Sequence, residues 1–131
     1  MINQERIKNL LLEFVQIDSH SRKERDIAER IKKYCEEMGA EVEIDDAGSK
    51  VGGNSGNVIA RFRGTIPNVE PIMMSAHMDT VVPGEGVKPV IEGDIIRTDG
   101  TTVLGGDDNP AASSSSKPSA AYRNRTSRTR T

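Results

Sequence analysis

The sequence predicts an α/β fold: two N-terminal helices, a mixed sheet with a hairpin, and then a tail without regular structure. Three observations carry this. Apolar residues recur at helical spacing twice within the first forty residues, then switch to a period of two. Aromatic content is only 3% and hydrophobic content 34%, so the core is small and the ordered part is one domain. Both the pattern and the acidity stop together at residue 108. Residues 1–108 carry 13 basic and 20 acidic side chains, a balance of −7, whereas residues 109–131 carry five basic side chains and no acid.

Each element has its own local reason. Ile7, Leu10, Leu11, Phe14 and Val15 share one face of a first helix over residues 4–17. Ser21 and Glu24 have capping-box spacing, which predicts that Ser21 opens a second helix. Ile27, Ile31, Tyr34, Cys35 and Met38 form its apolar face, and Gly39 supplies the left-handed stop. Cys35, lying on that face, reads as a small core residue rather than a nucleophile. Val42 and Ile44 alternate with acids as in a strand, and Val58, Ala60 and Phe62 line one side of a second strand over 57–63. The residues between, DDAGSKVGGNSG, read as a turn-rich loop. Residues 71–76, PIMMSA, are a short apolar run that predicts a strand buried on both faces. VKPVIEGDIIRT reads as a hairpin turning at Glu92-Gly93-Asp94, with Pro89 confining its first strand to an edge or a bulge.

The tail, 109–131, holds a four-serine run, two prolines and an RNRTSRTRT ending, and is expected to be disordered. One cysteine excludes an intrachain disulfide framework. The N-terminus lacks a signal-peptide core, and no stretch approaches the roughly 20 apolar residues that span a bilayer. The expectation is a cytoplasmic protein with no membrane partner, in which the Asn124 sequon is incidental.

Two motifs suggest chemistry. In Ser75-Ala-His77-Met-Asp79-Thr80, the alternation of an extended segment puts His77 and Asp79 on the same side, just beyond the carboxyl end of an expected strand. A histidine can bind a metal through one ring nitrogen while its other N–H donates to a carboxylate. Alone, this spacing suits a satisfied loop histidine equally well. His20, between the two helices, is assigned no role. The second motif is Gly105-Gly106-Asp107-Asp108: glycines admit close backbone approach, and a carboxylate can bridge two cations. Taken alone it is an ordinary turn.

Together, with the hairpin between them, the motifs form SAHMDTVVPGEGVKPVIEGDIIRTDGTTVLGGDD. This run closely resembles the metal-binding core of the di-zinc superfamily that contains peptidase T, carboxypeptidase G and aminoacylase. The His-Met-Asp-Thr-Val run, the Gly-Asp-Ile-Ile hairpin and the turn into Asp-Asp are most similar to the peptidase T-like tripeptidases. Ile17-Asp18-Ser19 and the strand at residues 56–60 extend the resemblance over residues 1–108. The fold it implies is the N-terminal part of a zinc-peptidase catalytic domain, followed by the basic tail. The resemblance implies two zinc ions per site. His77 would be a terminal ligand to one of them, Asp79 the catalytic orienting carboxylate beside it, and Asp107 the bridge between the metals. Asp108 would stand next to the site without ligating. The implied activity is aminopeptidase hydrolysis of short peptides by a metal-activated water.

The family pattern continues after Asp-Asp with a helix, a Glu-Glu pair, a further acid and a second histidine; here the chain reads Asn109-Pro110-Ala-Ala and then serines. The family's dimerisation domain has no counterpart either. The sequence therefore predicts a truncated zinc peptidase, altered near residue 109 and inactive alone. Within the superfamily the alternative is a deacylase of N-acyl amino acids. Outside it, the basic tail with Tyr122 would give salt-dependent nucleic-acid contacts, which the acidity of 1–108 opposes. A third alternative is a non-catalytic partner that docks through an unpaired sheet edge.

Overall fold

The structure is a computed structural model, and it describes residues 2–106. The expected tail at 109–131 lies outside the described residues, as do Asp107 and Asp108. The first helix, α1, runs Gln4–Phe14. Asn3 caps it, its side chain accepting from the Arg6 amide at 2.9 Å. The remaining turn to Ile17 is tightened: the Gln16 and Ile17 amides donate three residues back, to Glu13 and Phe14. The second helix, α2, runs Arg25–Glu37 and buries Ile27, Ala28 and Cys35. It ends as its sequence predicts. Gly39 has φ 86, its amide donates to the Glu36 carbonyl, and the Ala40 amide donates to the Cys35 carbonyl.

The start of α2 departs from expectation. Glu24 is the N-cap, with no side-chain cap bond, and the Arg25 amide donates instead to Asn54 Oδ1 at 3.0 Å. The Ser21 capping box does not form: the helix opens at Arg25, beyond its reach, and the Ser21 hydroxyl donates to Asp79. The loop that carries Asn54 is also more regular than its glycines suggest. Within it lies a short helix, α3 (Ala47–Val51), closed by a left-handed Gly52. Asp45 holds the ends of this loop together: Oδ1 accepts from the Ala47 and Asn57 amides, and Oδ2 accepts from Asn57 Nδ2 at 2.9 Å.

The strands form two separate antiparallel pairs rather than one mixed sheet. β1 (Glu41–Ile44) pairs with β2 (Val58–Arg61), Val42 facing Ala60. β3 (Pro89–Glu92) pairs with β4 (Ile95–Thr98) around the predicted turn, with Pro89 at the first strand position, where its missing amide costs nothing. Among the described residues, parallel pairing is limited to an isolated bridge between His20 and Thr80. The predicted strand at 71–76 is not formed, and its apolar side chains face outward, Met73 being 90% exposed. A strand exists only when flanking chains take its amides and carbonyls. Among the described residues no neighbour does this for 71–76.

The core lies between α1 and α2, where Leu10, Phe14 and Ile27 are buried together. Ile17, Ile31, Tyr34 and Met78 pack against them. Phe14 and Tyr34 meet edge to face, with ring centroids 6.4 Å apart. Arg30 spans the helix pair, forked onto the Glu13 carboxylate and stacked 5.5 Å from the Tyr34 ring centre. Burial also pushes the Cys35 thiol up, which fits a packing residue and not a thiolate nucleophile. Among the described residues no helix is long and apolar enough to cross a membrane.

Candidate metal centre

The site starts from an alternation. Met78 turns into the core formed by α1 and α2, so its neighbours His77 and Asp79 turn the other way. His77 Nδ1 donates to Asp79 Oδ1 at 3.0 Å and to the Asp79 carbonyl at 2.9 Å. With the proton assigned to Nδ1, since both of its partners are oxygens that only accept, a neutral ring carries its lone pair on Nε2, the nitrogen through which this tautomer could ligate a metal. The two residues are therefore brought together as a hydrogen-bonded imidazole–carboxylate pair on one side of the segment. Both are accessible, His77 47% and Asp79 37% exposed at the side chain.

Two segments distant in sequence hold this pair. The Thr80 amide donates to the Ser19 carbonyl at 2.8 Å, and Ser19 itself is buried, its hydroxyl 3.5 Å from Thr80 Oγ1. One turn further on, the Ser21 hydroxyl donates to Asp79 Oδ2. That bond is the main reason the Asp79 carboxyl is held below the usual carboxylate range. Burial opposes the shift, and His77 adds to it. From the other side, the Val103 amide donates to the Pro83 carbonyl at 2.8 Å, returning the segment that leads to Gly105 beside the chain that follows Asp79. Gly105 is buried with φ 72. Asp107, the expected bridging ligand, lies outside the described residues.

Sequence reading missed two residues here. Ser21 was assigned to a helix cap, and no local signal ties it to a carboxylate 58 residues away. His20 was given no role, yet it forms the bridge with Thr80 and places Nδ1 3.0 Å from Glu85 Oε1. Among the described residues no three His, Cys, Asp or Glu side chains converge on a point where a metal would sit. The donor chemistry among the described residues is one imidazole with a carboxylate bonded to its other nitrogen, which could supply one of the roughly three protein ligands of a catalytic zinc.

No protein-family model matches the chain. It is 44% identical over 108 residues to an uncharacterized protein, YqjE, of Bacillus subtilis (strain 168), covering 82% of this chain and 29% of that relative. Its fold matches a crystal structure of aminopeptidase PepT from Bacillus cereus ATCC 10987 with a TM-score of 0.84 and 42% identity. A tripeptidase structure from Staphylococcus aureus subsp. aureus Mu50 matches with a TM-score of 0.83 and 37% identity. Each match covers 88% of this chain and 31% of the solved one. The chain thus spans less than a third of the length of the proteins it resembles.

Proposed function

We infer that this chain, similar in sequence and fold to part of a peptidase T-type aminopeptidase, carries one half of a zinc-peptidase metal site. The observation that carries this is the bond from His77 Nδ1 to Asp79 Oδ1 at 3.0 Å, which fixes the ligating tautomer at an accessible position. His77 would hold zinc through Nε2. Asp79 orients the ring and makes it more basic. Asp107 would be a second ligand, bridging two zinc ions as in the resemblance drawn from the sequence. Zinc bound there would supply Lewis-acid polarisation of a peptide carbonyl and a water acidic enough to attack it near neutral pH. The substrate class is short peptides: the solved neighbours, an aminopeptidase and a tripeptidase, favour peptides over N-acyl amino acids.

The donor count limits what these 131 residues do by themselves. A catalytic zinc takes about three protein ligands and a water. His77 and Asp107 are two, and neither a second site histidine nor a downstream Glu-Glu pair occurs after Asp108. Hydrolysis therefore requires a general base and further ligands from polypeptide outside this sequence. Zinc titration calorimetry of the chain and of His77→Ala tests the assignment. The expected result is weak binding of zinc that the substitution removes. Binding unchanged by the substitution overturns the ligand role, and tight binding of two zinc ions overturns the half-site.

A further inference from the structure

The two oxygens of the Asp79 carboxylate are used separately. Oδ1 accepts from His77 Nδ1, and Oδ2 accepts from the Ser21 hydroxyl. A carboxylate held at one oxygen can still swing about its last side-chain bond, whose torsional preference is broad. Held at both, it cannot swing without breaking a bond.

The backbone around Ser21 is built to keep that hydroxyl in place. His20 to Lys23 is a tight turn, the Lys23 amide donating to the His20 carbonyl at 2.8 Å. Its third residue, Arg22, has φ 74, a conformation that side chains other than glycine and asparagine seldom adopt. The turn is tied on both sides. The Arg22 carbonyl accepts from the Asn54 amide at 3.1 Å, and the Arg22 amide donates to Glu24 Oε1. On the other flank, the Ser19 carbonyl takes the Thr80 amide. Ser21 is itself exposed, so its position follows from these ties and not from core packing. It does not cap α2, although its spacing to Glu24 suits that role.

We propose that Ser21 is a positioning residue: its hydroxyl locks the Asp79 carboxylate so that His77 is held as the Nδ1–H tautomer with Nε2 toward the metal. This rests on the assignment of His77 as a ligand. Ser21 touches neither metal nor substrate, and acts through Asp79.

The test uses the full chain with Ser21→Ala, Ser21→Thr and His77→Ala, read in two ways. The first is the ring nitrogen spectrum of His77 by NMR without metal, which reports the tautomer directly. The parent chain is expected to show Nδ1–H in excess, Ser21→Ala a smaller excess because only the Asp79 carbonyl still accepts firmly from Nδ1, and Ser21→Thr a return to the parent spectrum. The second is zinc affinity. Loss of a direct orienting partner weakens a metal site roughly tenfold to a hundredfold, so removing the partner of that partner is expected to cost roughly threefold to tenfold. Ser21→Thr should recover most of it. A parent-like tautomer in Ser21→Ala overturns the proposal, as does a Ser21→Thr chain that behaves like Ser21→Ala. The two assignments fail separately. Zinc binding indifferent to His77→Ala sinks the metal role, while a tautomer shift in metal-free Ser21→Ala still reports the positioning bond.

Discussion

Met78 links the core to the site, and replacing it with alanine perturbs both. Its side chain is half-buried against Leu10, Phe14 and Ile27. A fully buried methionine truncated to alanine costs about 2–5 kcal/mol. Met78 keeps part of its surface in water, and the thioether is a flexible filler, so the expected loss is about 1–2 kcal/mol. For a domain of this size, urea sensitivity is about 1 kcal/mol per molar, which makes the shift in unfolding midpoint about 1–2 M. Met78→Leu, close in volume, should lose less than half of that. Urea unfolding followed by circular dichroism measures both. The same samples should show a loosened His77–Asp79 pair, seen as a less uniform His77 ring tautomer in Met78→Ala. An unchanged midpoint in Met78→Ala would refute the reasoning, because the alternation that turns His77 and Asp79 outward depends on Met78 being anchored.

Three further outcomes follow from the loops beside the site. A methyl group on Gly56 would lie 2.0 Å from the Asp45 carbonyl oxygen and 2.4 Å from its carboxylate, so Gly56→Ala should cost about 2–3 kcal/mol in urea unfolding; a neutral substitution would show that the 45–57 clamp is loose. Arg22→Gly relieves a positive φ worth about 1–2 kcal/mol, less the extra chain entropy of glycine, and should raise the melting temperature by a few degrees; a lower melting temperature would show that the turn is unstrained. Asp45 is held below its usual range, first by the Asn57 side chain and then by the Ala47 and Asn57 amides. Its contribution is therefore present above the ordinary carboxylate value of about 4 and is lost as pH falls through the lower folded value. The stability gap between parent and Asp45→Asn should narrow as pH drops below about 4, and a gap that widened there would reverse the sign assigned to Asp45.

What the sequence made legible is what local chemistry decides. The apolar periods of α1 and α2, the Gly39 stop and the β3–β4 turn each arise within a few neighbouring residues, and each stands in the structure. The His77 and Asp79 pairing was legible for the same reason, since two residues at this spacing share a side of extended chain. Residues 71–76 were misread because an apolar run reports a preference for burial, whereas a strand also needs neighbours to pair with. α3 was hidden by its glycines, which suggest a loop until Asp45 and Asn57 are seen to close it. Ser21 carried a local signal that pointed elsewhere. Its capping spacing was genuine, but α2 opens at Arg25 with Glu24 as the N-cap, which leaves Ser21 in the preceding turn with its hydroxyl free to donate to the Asp79 carboxylate. Contacts set by tertiary closure, such as the His20 and Thr80 bridge, leave no mark in a single sequence.

The central claim is that His77, oriented by Asp79, is a zinc ligand. Zinc-edge X-ray absorption on the zinc-loaded chain tests it at the atom concerned. The account predicts one imidazole nitrogen about 2.0–2.1 Å from zinc, with oxygen donors completing the shell. That imidazole signal should vanish in His77→Ala. A parent spectrum with oxygen neighbours alone, or an imidazole signal that survives His77→Ala, would contradict it.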